Sequence, residues 1–184
     1  LPYIALLFLI LLRTHKDTRV EDVAMVFMMS IGIPLSLSSA IYLRDNNGYT
    51  MGLFYLLLAL CCAWYSDTGA YFVGRAWGKH KLCPQVSPHK TVEGLVGGLV
   101  TCILLNLLTA FIFQKVSGYL GVPLQINYLR LLLISPLASL ISVLGDLSFS
   151  MIKRGFSIKD FGNIMPGHGG VLDRFDSVLF TLPF

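Results

Sequence analysis

Long apolar stretches that lack strand-like alternation constrain the fold of this chain more than any other feature. Four of them are long enough to cross a bilayer: 23–43, 50–74, 94–113 and 128–152. A helical span needs about 20 mostly apolar residues, and a helix satisfies its backbone hydrogen bonds within the segment. Only 13% of the 184 residues are charged, against about 25% in a typical soluble domain. The sequence therefore predicts an all-α, polytopic transmembrane protein.

The basic residues predict how the apolar stretches are oriented. An apolar run at 1–12, the tail of another span, precedes those stretches, and the loops are numbered from the one that follows it. Eleven of the fourteen lysines and arginines lie in or at the edge of the first, third and fifth loops, at 13–22, at 75–93 and after 152. They are Arg13, Lys16, Arg19, Arg75, Lys79, Lys81, Lys90, Lys153, Arg154, Lys159 and Arg174. Basic loops stay in the cytoplasm, so we expect these loops, including the third at 75–93, to be cytoplasmic. No basic stripe interleaved with aromatic residues suggests nucleic acid as a partner.

A segment rich in opposed charges, 145–177, lies between two apolar stretches. Its charged residues include the carboxylates Asp146, Asp160, Asp173 and Asp176 and the bases Lys153, Arg154, Lys159 and Arg174. Carboxylates alone suit a divalent cation and bases alone suit a phosphate. Both together suit a phosphate that already carries a metal, such as a Mg²⁺-nucleotide. The segment therefore indicates a site for ions and phosphates at a membrane surface.

Glycines surround a histidine within this segment. Pro166-Gly167 precedes His168, and Gly169-Gly170 follows it. Glycine admits tight turns in which main-chain N–H groups approach an anion closely. We therefore predict an anion-binding turn here, with His168 in a hydrogen-bonding or acid–base role.

Two carboxylates, Asp67 and Asp146, lie inside apolar stretches. Both are roughly 10–12 Å from the cytoplasmic ends of their predicted helices, at 1.5 Å per residue. Equal depth allows them to meet, and a carboxylate within a membrane span is a functional candidate by default. The alternative is a structural salt bridge or hydrogen bond to a neighbouring helix. The sequence shows no obvious basic partner for Asp146 or for Asp173.

The third loop ends in Ser-Pro-His-Lys-Thr-Val-Glu-Gly at 87–94. A lysine and a threonine just before a helix start can hold phosphate, because the helix N-terminus adds positive potential. Alternatively, Thr91 only caps the helix and Lys90 is an ordinary cytoplasmic charge.

Six short blocks of this sequence form a recognisable set. They are Ser-Asp-Thr-Gly-Ala-Tyr-Phe at 66–72 with Gly74, Ser-Pro-x-Lys-Thr-x-Glu-Gly at 87–94, Ser-Met-Ile-Lys-Arg at 150–154, Lys-Asp at 159–160, Pro-Gly-His-Gly-Gly at 166–170 and Leu-Asp-Arg-Phe-Asp-Ser at 172–177. These blocks closely resemble the signature of the phosphatidate cytidylyltransferase family, also called CDP-diacylglycerol synthases. The resemblance covers most of the chain from Ala63 onward.

The resemblance implies a helical membrane enzyme with a polar cavity open to the cytoplasm and to lipid. Its reaction joins CTP and phosphatidate to give CDP-diacylglycerol and pyrophosphate. The resemblance also implies Mg²⁺, a monovalent cation such as K⁺ in some members, and a homodimer. The enzyme would lie in a bacterial inner membrane or, in a eukaryote, in the endoplasmic reticulum or another organelle membrane.

The family's metal-binding aspartates correspond to Asp146 and Asp173, with Asp67 and Asp176 as supporting ligands or neighbours. From the residue chemistry, we assign catalysis to Asp146, Asp173 and Asp176 together with Lys153, Arg154, Lys159, Arg174 and His168. The same lysines and arginines, with Lys90, would neutralise the triphosphate and the lipid phosphate. We assign substrate binding to Asp67, Lys90, Thr91, Glu93, Gly169 and Gly170. We interpret residues 1–184 as one transmembrane catalytic domain with its signature at 145–177. Since the chain opens in an apolar run without Met, we expect further N-terminal spans.

Two other functions compete with this interpretation. A CTP-dependent polyprenol or phytol kinase would transfer the γ-phosphate of CTP to a lipid alcohol. An ion-coupled transporter would use Asp67 and Asp146 within the membrane, but it leaves the basic, glycine-rich segment unexplained.

Overall fold

A computed structural model describes residues 2–13, 19–162 and 169–184, and about 77% of these described residues are helical. The elements in chain order are α1 Pro2–Arg13, α2 Val20–Asn46, α3 Tyr49–Trp77, β1 Lys81–Cys83, β2 Ser87–Thr91, α4 Val92–Tyr119, α5 Tyr128–Gly155, α6 Leu172–Phe175 and α7 Val178–Thr181. Within the described residues, α2, α3, α4 and α5 are long and apolar enough to cross a membrane. The predicted helical, multi-pass membrane fold is confirmed.

The chain forms two compact units, residues 1–38 and 39–184. The first unit holds α1 and most of α2, and within it the ring of Tyr3 stacks on that of Phe27 with centroids 6.4 Å apart. The second unit holds every other element and all of the predicted site residues that the structure describes.

Helices α3, α4 and α5 form the centre of the second unit, and α7 packs against α3 and α5. Close approach of α3 and α4 depends on small residues. A Cβ on Gly94 would lie 2.7 Å from the carbonyl oxygen of Ala70, and one on Gly98 would lie 2.7 Å from that of Ser66. Such clashes exclude side chains at both positions, as is typical of tightly packed membrane helices.

Buried polar residues join the three helices below the charged end of the bundle. Ser66 of α3 and Ser139 of α5 are fully buried, and their hydroxyl oxygens lie 2.7 Å apart. Asn106 of α4 donates from its Nδ2 to the hydroxyl of Ser135, 3.2 Å away. Hydrogen bonds of this kind hold helices in register where lipid supplies no hydrophobic drive.

The third loop contains more structure than the sequence predicted. Strands β1 and β2 form an antiparallel hairpin between α3 and α4, with Lys81 paired to Thr91 and Cys83 to Ser87. The C-terminal segment 170–184 contains two one-turn helices, α6 and α7.

Candidate active site

A cavity of about 330 Å³ lies at the end of the bundle where α3 ends and α4 begins. It gathers carboxylates from three separate parts of the chain. Asp67 comes from α3, Asp146 from α5, and Asp173 and Asp176 from the C-terminal segment, while Lys90 enters from β2. The expectation that Asp67 and Asp146 would meet is confirmed in the sense that both line this cavity.

Asp146 is paired with a lysine that the sequence did not identify as its partner. The Nζ atom of Lys90 lies 2.5 Å from Asp146 Oδ2. On the other carboxylate oxygen, Asp146 accepts a hydrogen bond of 3.3 Å from the hydroxyl of Ser150, one helical turn further along α5. The hairpin therefore places a cation of the third loop on a carboxylate of the last long helix.

Asp173 is the most extensively bonded carboxylate of the site. Lys153 Nζ donates to its Oδ1 over 2.8 Å, and the backbone N–H groups of Phe161 and Gly170 donate to its Oδ2 over 2.8 and 2.9 Å. Burial alone would raise the pKa of this carboxyl, but the Lys153 hydrogen bond and the two N–H donors outweigh burial and hold its pKa below the usual value. The expectation that neither Asp146 nor Asp173 has a fixed basic partner is wrong, because folding brings a distant lysine to each.

The glycine-rich turn donates a backbone hydrogen bond to this same carboxylate. Gly169 has a φ of +84°, in the left-handed region that favours glycine. The N–H of the next residue, Gly170, donates to Asp173. In this part of the predicted anion-binding turn, the bound anion is therefore a carboxylate of the protein itself. His168 lies outside the described residues.

Asp67 and Asp176 share one hydrogen-bonding partner, Ser177. The hydroxyl of Ser177 lies 3.1 Å from Asp67 Oδ2 and 3.4 Å from Asp176 Oδ1, and the Ser177 N–H donates to Asp176 Oδ1 over 2.7 Å. Burial, with repulsion from Asp146 as the next cause, raises the pKa of Asp176 to about 6. Sequence reasoning assigned no role to Ser177 or Ser150, although both stand in the matching blocks.

The start of α4 borders the cavity. Thr91 caps this helix by accepting a hydrogen bond of 3.1 Å from the Gly94 N–H, and Thr91, Gly94 and Leu95 all line the cavity. The capping interpretation of Thr91 is thus confirmed. Because the first turn of α4 lies at the cavity, the positive end of the helix dipole would also attract an anion bound there.

Glu93 has a local structural role. Its carboxylate accepts hydrogen bonds from the backbone N–H groups of Lys79 and His80 and lies 2.6 Å from His80 Nδ1. These contacts tie the segment before β1 to the first turn of α4. Glu93 is absent from the cavity lining, so it shapes the hairpin that carries Lys90.

Three further predicted bases are solvent-exposed and outside the cavity lining: Arg154, Lys159 and Arg174. Lys153 differs from them because its side chain is only 13% exposed and is held against Asp173. The structure therefore separates the predicted cations into Lys90 and Lys153, which contact carboxylates of the site, and these three exposed residues.

The chemistry of the donor set fits a hard divalent cation, because carboxylate oxygens from four aspartates surround one cavity. Within 2–13, 19–162 and 169–184, however, no group of three or more His, Cys, Asp or Glu side chains is arranged to hold a metal. Lysines contact one oxygen each of Asp146 and Asp173. A cation entering here would compete with those lysines.

Comparison with known proteins supports the family resemblance of the blocks whose residues line this cavity. Residues 1–184 match the cytidylyltransferase family along the whole chain. This chain belongs to the cytidylyltransferase family. The protein named phosphatidate cytidylyltransferase in Bacillus subtilis (strain 168) is 44% identical over 186 residues, covering 98% of this chain and 65% of that protein.

Relatives in staphylococci are similar over a shorter length. The protein of the same name in Staphylococcus saprophyticus is 51% identical over 132 residues, covering 72% of this chain and 47% of that protein. The corresponding Staphylococcus haemolyticus protein is 46% identical over the same length. The chain thus spans between about half and two thirds of the length of these curated relatives.

Proposed function

We propose that this protein is a phosphatidate cytidylyltransferase, which transfers CMP from CTP to phosphatidate and releases pyrophosphate. The observation that carries the proposal is the cavity that combines Asp67, Lys90, Asp146, Asp173 and Asp176. All of these except Asp146 stand in the blocks that resemble this family, and the resemblance assigns Asp146 to the metal. The names of the relatives and the family membership support the same reaction.

The main barrier to this reaction is repulsion between negative charges, and no protein nucleophile is needed. An oxygen of the phosphatidate phosphate attacks the α-phosphorus of CTP, and the bond from that phosphorus to the oxygen bridging to the β-phosphorus breaks. Two anions must therefore approach each other, and a third must leave. Lys90 and Lys153 are the cations best placed to neutralise phosphate oxygens, and the N-terminus of α4 adds positive potential beside them.

The resemblance assigns Mg²⁺ to Asp146 and Asp173, with Asp67 and Asp176 beside them, and we keep this assignment as part of the proposal. When bound, such a cation neutralises phosphate charge and aligns the attacking and leaving oxygens. The protein's own contribution is to orient the four carboxylates, through the contacts from Lys90, Lys153, the backbone and Ser177 described above.

The position of the cavity suits a substrate that is half lipid. Tyr71 lines the cavity and is 57% exposed, and its hydroxyl accepts a hydrogen bond of 2.8 Å from Arg75. Trp77, at the end of the same helix, is also exposed. Aromatic and basic residues at a helix end are typical of a membrane interface. We propose that this interface is cytoplasmic, so that CTP enters from water while the acyl chains stay in the bilayer. We also propose that the enzyme works as a homodimer.

Isotopically labelled CTP tests the reaction and separates it from the kinase alternative. With phosphatidate as acceptor and Mg²⁺ present, we expect α-³²P-labelled CTP to label the lipid and γ-³²P-labelled CTP to label only pyrophosphate. Thin-layer chromatography of both products gives the result. Lipid labelled from the γ position, with accumulation of CDP, would show a kinase instead.

A further inference from the structure

Ser177 lies between the two carboxylates of the cavity that neither Lys90 nor Lys153 contacts. The residue is only 2% exposed and follows directly after α6 and Asp176. Its hydroxyl reaches Asp67, which is 110 positions earlier in the chain, over 3.1 Å. The contact therefore joins α3 to the C-terminal segment inside the candidate active site.

The donors of Ser177 are divided between the two aspartates. Its backbone N–H donates to Asp176 Oδ1 over 2.7 Å. The hydroxyl has a single proton, and its oxygen is closer to Asp67 Oδ2, at 3.1 Å, than to Asp176 Oδ1, at 3.4 Å. Because one proton can be donated to only one strong acceptor at a time, the N–H serves Asp176 and the hydroxyl serves Asp67.

The two pairs of carboxylates are held by different kinds of donor. Asp146 and Asp173 are each held by a lysine, whereas Asp67 and Asp176 are held by hydrogen bonds from one serine. A neutral donor fixes one oxygen of a carboxylate and gives the other oxygen a defined direction, without adding a positive charge beside it. Such a carboxylate is prepared to bind a cation, and groups that orient metal ligands in this way tune metal affinity.

We propose that Ser177 is a positioning residue, which aims Asp67 and Asp176 together into the cavity for a divalent cation. The inference rests on the proposed function, since it concerns the cation of that reaction. It adds a specific division of labour, in which the Ser177 hydroxyl acts through Asp67 and leaves Asp176 to the backbone.

The test removes the hydroxyl while keeping the backbone donor. Ser177→Ala is compared with wild type, with Ser177→Thr as the conservative variant, and with Ser148→Ala as the control. Ser148 lies on α5, and its hydroxyl donates to the Leu144 carbonyl oxygen of the same helix instead of to a carboxylate. Binding of Mn²⁺ to each purified protein in detergent, without substrate, is measured by electron paramagnetic resonance. The melting temperature of each variant checks that it is folded.

We expect Ser177→Ala to weaken Mn²⁺ binding about tenfold, the lower end of the effect of losing a group that orients a metal ligand. Ser177→Thr is expected to restore most of the affinity, and Ser148→Ala to match wild type. The half-saturating Mg²⁺ concentration for turnover is expected to rise in parallel with the Mn²⁺ dissociation constant.

A double-mutant cycle distinguishes positioning from general packing. If the hydroxyl acts through Asp67, Ser177→Ala has no further effect on Mn²⁺ binding once Asp67→Asn is present. An equal loss in both backgrounds, wild-type affinity in Ser177→Ala, or a wild type that binds no Mn²⁺ would each overturn the inference. Since the titration needs neither CTP nor lipid, its outcome is independent of whether the labelled-CTP experiment supports the transfer reaction.

Discussion

Replacing Asp176 with asparagine should make the protein more stable, because this carboxylate is buried beside other negative charges. The residue is 8% exposed, and its pKa is raised from 3.8 to about 6, first by burial and then by Asp146. A shift of this size corresponds to about 3 kcal/mol of free energy against the ionised form. Asparagine keeps an oxygen that can accept the Ser177 N–H but removes the charge.

The pH dependence of this effect has a definite sign. The folded-state pKa of Asp176 lies above its unfolded value, so the folded protein binds more protons than the unfolded chain between about pH 4 and pH 6. The contribution of Asp176 to stability therefore falls as the pH rises through this window, and the full cost remains above pH 6. We expect Asp176→Asn to exceed wild type in free energy of unfolding by up to about 3 kcal/mol at pH 7.5, with the gap closing towards pH 4.

Denaturant titration in detergent at several pH values measures the gap. Glu21→Gln is a suitable control, because Glu21 is an exposed carboxylate on α2 in the other compact unit. If Asp176→Asn and wild type are equally stable at pH 7.5, or if their difference is the same at pH 4, the electrostatic reasoning fails. The same variant is expected to lose affinity for Mg²⁺, since the charge that costs stability is the charge offered to the cation.

Three further outcomes test other parts of the structure and proposal. Asp146→Asn is expected to lower turnover at least about a hundredfold at saturating Mg²⁺, comparable to removal of a key electrostatic stabiliser, and near-normal turnover would remove it from the metal site. Gly98→Val is expected to lower the melting temperature clearly, since a Cβ there would lie 2.7 Å from a carbonyl oxygen of α3, and unchanged melting would refute the close packing. Single cysteines at Lys79 and Lys159, in a background without the native four, should react only with reagent that reaches the cytoplasm; opposite accessibility would refute the orientation.

The sequence was sufficient to predict the helical membrane fold and several members of the site. Long apolar runs leave few alternatives to transmembrane helices, and a charged residue such as Asp67 within one of them is conspicuous. Depth along the helix also allowed Asp67 and Asp146 to be placed at one level. These features depend on local composition and helical rise, which a single sequence shows directly.

The partners of those carboxylates could not be predicted, because each partner is distant in sequence. Lys90 reaches Asp146 only because 81–91 folds into a hairpin, and the loop composition gave little indication of strands. Ser177 and Asp67 are brought together only by tertiary packing. Glu93 was assigned to the substrate by its motif, although its contacts hold the backbone before β1.

The pairing pattern connects stability with function at this site. Lys90 and Lys153 neutralise Asp146 and Asp173 in the chain by itself, so half of the carboxylate charge is compensated from within the fold. Asp67 and Asp176 accept hydrogen bonds from Ser177 and form no ion pair with either lysine, and the raised pKa of Asp176 indicates that its charge is held at a cost. Sites that give up stability in this way are typically those prepared for a ligand. A divalent cation bound between Asp67 and Asp176 would remove that cost, and phosphate oxygens would form ion pairs with the two lysines. Each component of the proposed substrate complex therefore compensates charges that this site presents.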